Sequence, residues 1–304
     1  MTTLQSAAPQ RQRGHRPSAL RLISAEIMKI RTTNTWWLFL IGMIAVTALA
    51  FTFNAVGHHY TLHPPLDQVK ADSDAARQAQ ADAVAAHTPA GLAKIAADLM
   101  TSGQFFGLLF AMIIGILVVT NEFFHQTATT TFMTNPHRTA VISAKAVAAL
   151  LFGVLFWLVA TVLDLIATPI FLNSQHVSVS IYQWTVIQSV LLNLAAFVMW
   201  AIFGLGFGTL IRSQIGAVIT GTVLYLIGSA AVALIFQLIH NIYPHNWVIS
   251  AEVIAPAIAS SVMITPGRAF EHAPPQWVGA VVLIAYTVVA GGVGTWLTRR
   301  RDIS

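Results

Sequence analysis

Residues 146–170 read AVAALLFGVLFWLVATVLDLIATPI, with Asp164 as the only charge. A bilayer-spanning helix needs about 20 predominantly apolar residues, because each adds about 1.5 Å and the hydrocarbon core is about 30 Å thick. Within lipid only helices and closed barrels satisfy their backbone groups. The apolar residues here run continuously rather than alternating, which excludes a barrel strand. Five further stretches read the same way: 36–54, 103–120, 186–210, 215–236 and 277–297. The sequence predicts an all-α polytopic membrane protein with six transmembrane helices.

Composition agrees with that reading. Of the 304 residues 56% are hydrophobic and 9% charged, with a mean hydropathy of +0.70; a soluble domain carries about 25% charge. The spans leave no room for a separate soluble catalytic domain. Cysteine is absent, which excludes disulfides, thiolate metal sites and cysteine nucleophiles. Arginine outnumbers lysine 12 to 4 and alanine is abundant, as in proteins of GC-rich bacteria.

The net charge of +5 is no nucleic-acid signal, because of where the charges sit. Arg11, Arg13, Arg16, Arg21, Lys29, Arg31, Arg138, Lys145, Arg212, Arg299, Arg300 and Arg301 fall on one side of the predicted spans, and Lys70, Arg77, Lys94 and Arg268 on the other. An excess of Lys and Arg marks the cytoplasmic side. Both termini are therefore expected in the cytoplasm, with the spans in the bacterial cell membrane. Asp67, Asp72, Asp74, Asp82, Asp98, Glu252 and Glu271 fall outside. Ala48-Leu49-Ala50 resembles a signal-peptide cleavage site, but the apolar run is too long for a signal core.

Residues 1–16 are polar, basic and unpatterned, and are expected to be disordered. Pro17 and Ser18 open an amphipathic segment with Leu20, Ile23, Ile27 and Ile30 at helical spacing. A basic amphipathic helix running into a span reads as an elbow in the cytoplasmic interface, followed by Trp36 and Trp37 at headgroup depth. Residues 55–102 form an external insertion, in which 67–86 suits a short helix. Thr88-Pro89 suits the cap and first position of a second helix. Residues 237–276 carry Pro244, Pro256, Pro266, Pro274 and Pro275. Within them 248–264 is apolar but short and broken by Pro256, so it reads as a re-entrant or interfacial hairpin before the last span.

No G-x-x-x-x-G-K-[ST] loop is present, so nothing in the chain is expected to bind or hydrolyse ATP; H-E-x-x-H, G-x-S-x-G and C-x-x-C are also absent. Residues 121–138, NEFFHQTATTTFMTNPHR, place one acid at the cytoplasmic edge of span two, then a short amphipathic element, a proline turn and a base. Such a segment suits a surface knob on which another protein docks. The alternative is an ordinary cytoplasmic loop kept polar by water.

Glu122, Phe123, His125 and Thr127, then Thr131, Pro136 and Arg138, then Ala144 and Lys145 together resemble the permease subunits of ABC-2 type transporters. Gln126 stands where that family commonly has glycine. The layout of elbow, six spans and external hairpin is similar too, and it makes 17–304 a single permease domain. The resemblance implies that Glu122, Phe123, Phe124, His125, Thr127, Thr131, Pro136 and Arg138 belong to a coupling helix gripped by a separate cytoplasmic ATPase, which binds the ATP and Mg. The Glu122 carboxylate is expected to accept N–H groups at the start of that helix and to face a base on the partner. The resemblance also implies a second permease copy, identical or closely related. Spans two and five of the two copies would line the translocation path, making Phe105, Phe106, Phe110, Met112, Thr220, Tyr225 and Ser229 candidate lining residues.

Two polar residues within spans join those candidates. Asp164 reads equally as a functional carboxylate or as one hydrated near the interface. Asn193 suits helix–helix adhesion as well as substrate contact. His58, His59 and His63 cluster after span one and form a weak copper or zinc candidate, with interfacial polarity the simpler reading. Two rivals to the permease are a membrane enzyme, for which Asp164 lacks an evident partner, and a secondary transporter, which tends to show paired broken spans.

Overall fold

The computed structural model describes residues 19–33, 35–65, 73–125, 138–211 and 213–300, without the side chains of 138 and 298–300. Among the described residues there is no strand. In chain order the helices are α1 (Ala19–Arg31), α2 (Thr35–Leu62), α3 (Asp74–Ala86), α4 (Pro89–Leu99), α5 (Gln104–Phe124), α6 (Arg138–Ser174) and α7 (Trp184–Leu210). They continue as α8 (Gln214–Ile242), α9 (Asn246–Ile254), α10 (Pro256–Ile264) and α11 (Gln276–Arg300). Six of these helices are long and apolar enough to cross a membrane: α2, α5, α6, α7, α8 and α11. The chain is thus an all-α protein with the architecture of a multi-pass membrane protein.

The helices outrun the apolar runs that mark them. α6 has 37 residues, about 55 Å at helical rise, well beyond the hydrocarbon core. Its first turns carry Arg138 and Lys145, and its last turns pass through Pro169 without ending. Helical backbone hydrogen bonding continues past the lipid because it needs no apolar side chains. α8 contains a π turn at Leu224–Gly228.

α5 is the axis of the bundle, with 78% of its apolar window buried, against 11% each for α2 and α8. It runs parallel to α7 in backbone contact. A Cβ at Gly115 would collide with the Ala201 carbonyl, and one at Gly204 with the Met112 carbonyl. Small residues allow this approach where lipid supplies no hydrophobic drive between helices.

The insertion follows its local sequence signals. Ser73 caps α3 by accepting Ala76 N–H at 3.2 Å, and Thr88 caps α4 by accepting Gly91 N–H at 3.1 Å, with Pro89 at the first helical position. The second half of the insertion packs against the bundle. α2 continues to Leu62, and α4 buries Ala96, Ala97 and Leu99 with Leu62, Leu172 and Val186. α9 and α10 meet at 105°. α10 is held between α7 and α11: Trp200 Nε1 donates to Ser260 Oγ at 2.8 Å, and Gly279 lies against Ala259.

Candidate functional site

The end of the bundle that carries α1 gathers four charges. Glu26 and Lys29 lie three apart on α1, so they share a helix face. Glu122 is in the last turn of α5, and Lys145 lies two turns into α6. Lys29 Nζ donates to Glu26 Oε1 and to Glu122 Oε1, both at 2.7 Å. Lys145 Nζ donates to Glu26 Oε2 at 2.7 Å and to the Val118 carbonyl at 3.2 Å, and lies 2.9 Å from Glu122 Oε1. Among the described residues, two ammoniums and two carboxylates alternate around a ring.

Burial makes the ring consequential. Glu26, Glu122 and Lys145 are 4–5% exposed, while the Lys29 side chain is 44% exposed and forms the open edge. A buried charge is tolerated only when paired and hydrogen-bonded. Burial lowers the Lys29 pKa, but the hydrogen bonds and charges of Glu122 and Glu26 outweigh it and hold the group above its ordinary 10.5. Lys29 is therefore cationic throughout the neutral range.

The short helix that Glu122 is expected to cap falls on 126–137, outside the described residues. The Glu122 carboxylate lies in the final turn of α5, where the dipole disfavours an anion. Lys145 offsets that by taking the Val118 carbonyl and the carboxylate together. This chain's own lysines both engage Glu122.

Beside the ring, Phe123 and Phe124 are 40% and 62% exposed, with the His125 ring 5.0 Å from that of Phe124. Thr127, Thr131 and Pro136 lie outside the described residues, as does the side chain of Arg138, the first residue of α6. The disordered reading of 1–16 falls outside them too.

The candidate path residues divide. Phe105 and Phe106 are half-exposed at the start of α5, their rings 5.0 Å apart. Tyr225, in the π turn, is buried and donates to the Phe105 carbonyl at 2.6 Å; Ser229 Oγ donates to the Tyr225 carbonyl. Phe110 packs on Phe39, centroids 5.5 Å apart. Met112 is sealed between Gly204 and Gly221 at 2% exposure, whereas Thr220 faces outward. The structure thus joins Phe105, Tyr225 and Ser229 and leaves Met112 and Thr220 apart from them. Asn193 and Asp164 are buried, each with Oδ1 unpartnered.

The three histidines do not converge. His58 Nε2 lies 4.0 Å from Asp98, while His59 Nδ1 is 2.7 Å from Gln175 Oε1 and its ring is 5.5 Å from that of His63. Among the described residues no three His, Cys, Asp or Glu side chains are grouped to hold a metal ion.

Motif reading passed over Glu26 and Lys29. Their signal was available: lone charges at the margins of an apolar chain need partners, and few exist. No protein-family model matches this chain, and no curated protein is significantly similar to it.

Proposed function

We propose that this chain is the membrane-spanning permease subunit of an ATP-driven exporter of the ABC-2 type, working with a separate cytoplasmic ATPase that binds the ATP and Mg and with a second permease copy. In this reading α1 is the elbow in the cytoplasmic interface, both termini are cytoplasmic, and α9–α10 is an external re-entrant hairpin. The observation that carries the reading is the buried ring of Glu26, Lys29, Glu122 and Lys145. It ties the elbow to the end of span two and the start of span three, on either side of 126–137, so a push on that segment would move three elements together. Exposed Phe123 and Phe124 beside the ring offer apolar contact to a docked subunit. The broad uncovered faces of α2 and α8 suit a second copy and lipid. Apolar, aromatic span faces favour a hydrophobic or amphipathic substrate.

The test is reconstitution in liposomes with the phosphate-loop ATPase that copurifies with the chain. Hydrolysis and transport that both require the two proteins support the reading. A chain that purifies without an ATPase and transports independently of ATP overturns it. That outcome would favour a secondary transporter, the rival supported by the helix break at 100–103 beside Asp164.

A further inference from the structure

α2 ends at Leu62 and is followed by His63, Pro64 and Pro65. The His63 N–H still donates to the His59 carbonyl at 2.8 Å, and the proline after it restricts its backbone, so His63 stands at a fixed point. Across a groove lies His87, in the two-residue junction between α3 and α4. That junction is fixed as well. The His87 N–H closes α3 on the Ala83 carbonyl at 3.1 Å, and its neighbour Thr88 caps α4. The two rings are 6.3 Å apart, and both line the groove, with Gln80 and Val84 among its other walls.

Hydrogen bonding decides which nitrogen His87 presents. A carbonyl oxygen only accepts, so the 2.8 Å contact of His87 Nδ1 with the Ala83 carbonyl makes Nδ1 the donor and leaves the lone pair on Nε2. Metal-bound imidazoles are held in this way, the second nitrogen donating to a carbonyl that fixes tautomer and ring orientation. Among the described residues the His63 ring makes no hydrogen bond, so its lone pair is uncommitted. Zinc–nitrogen bonds of about 2.0–2.1 Å put two imidazoles on one ion with ring centres roughly 5–6.5 Å apart. The observed spacing falls in that range. His59 has its ring 5.5 Å from that of His63, but its Nδ1 engages Gln175 Oε1 and it does not line the groove.

We propose that His63 and His87 together hold one divalent ion of the kind that favours imidazole (zinc, copper or nickel), with zinc as the probe. Nitrogen ligands select such ions over calcium and magnesium, which take oxygen. Among the described residues no third His, Cys, Asp or Glu completes the set. The groove, of about 560 Å³, has room for several waters of about 30 Å³ each in the remaining positions. The site is therefore open and exchangeable. An ion there would fasten the end of α2 to α3, most of whose residues are exposed. The site does not rest on the ATP-driven reading.

The experiment is isothermal titration of zinc chloride into the purified full chain in detergent, without a histidine tag. One zinc per chain should bind saturably, and calcium at the same concentration should leave the curve unchanged. Losing a group that merely orients a ligand costs about 10–100-fold in metal affinity, so removing a ligand itself, in His63→Gln or His87→Gln, should cost at least as much. Both side chains are exposed, so neither substitution disturbs packing. His59→Gln should bind as the wild type does. Absence of saturable binding overturns the proposal, as does binding unchanged by His63→Gln and His87→Gln. Binding lost in His59→Gln but kept in His87→Gln also overturns it, because it assigns the ion to the helical pair on α2.

Discussion

Glu26, Lys29, Glu122 and Lys145 come together from three helices, and each lone charge would be untenable where it sits. Buried pairs are weak evidence of net stability, but breaking one strands its partner at a cost of roughly 3–5 kcal/mol. Lys145→Ala removes one of the two lysines that Glu26 and Glu122 share. We expect a loss of about that size in chemical-denaturant unfolding of the detergent-solubilised protein. Glu122→Met combined with Lys145→Met removes one charge of each sign and leaves Lys29 with Glu26, so the double variant should lose much less than the sum of the single ones. Lys29 adds a pH dependence. Its folded pKa is raised, so its contribution is complete below the ordinary 10.5 and disappears as pH climbs through the higher folded value. Lys29→Gln should remove that alkaline limb and leave the neutral range flat; a new transition near neutrality would contradict the assignment.

At the scale of elements, α5 and α7 are held by backbone contact at Gly115 and Gly204. Overpacking a core costs about 1–3 kcal/mol, and here the obstruction is backbone that cannot swing aside. Gly204→Leu should sharply reduce the folded fraction on size-exclusion chromatography, whereas Gly292→Leu, which meets open space, should not. Deleting α3, whose residues other than Ala76 and Ala86 are mostly exposed, should leave membrane insertion intact by alkaline extraction. Deleting α4, with Ala96, Ala97 and Leu99 in a packed cluster, should not be tolerated. These elements mark what the sequence could reveal. The apolar runs and the Thr88-Pro89 cap are local, set by solvation or by neighbours a few residues away, and they were legible. The length of α6 was not, because hydropathy measures fitness for lipid while helices continue into water. The ring was not either: Glu26 and Lys145 are 119 positions apart, and no local pattern encodes such a pairing. The helix break at 100–103 falls on Thr101-Ser102-Gly103, where the apolar run of span two begins.

For the molecule as a whole, the proposed orientation has α1 and both termini in the cytoplasm, and the cysteine-free sequence makes that measurable. Cysteines at Ser73 and Asn246 should react with an impermeant thiol reagent in intact cells, and a cysteine at Ser6 only after permeabilisation; the reverse would invert the proposed orientation. α5 is sealed at the centre of the bundle, and α2 and α8 are mostly uncovered. The proposed permease function has transport driven from the end where the charged ring sits. The claim that an ATPase docks there is tested most directly by crosslinking. In inverted membrane vesicles containing the reconstituted pair, Phe124→Cys should form a nucleotide-sensitive crosslink to the ATPase subunit, and the same cysteine should be silent to impermeant reagent in intact cells. A Phe124→Cys chain that labels from outside intact cells, or that never crosslinks to an ATPase present and active in the same vesicles, would contradict the account.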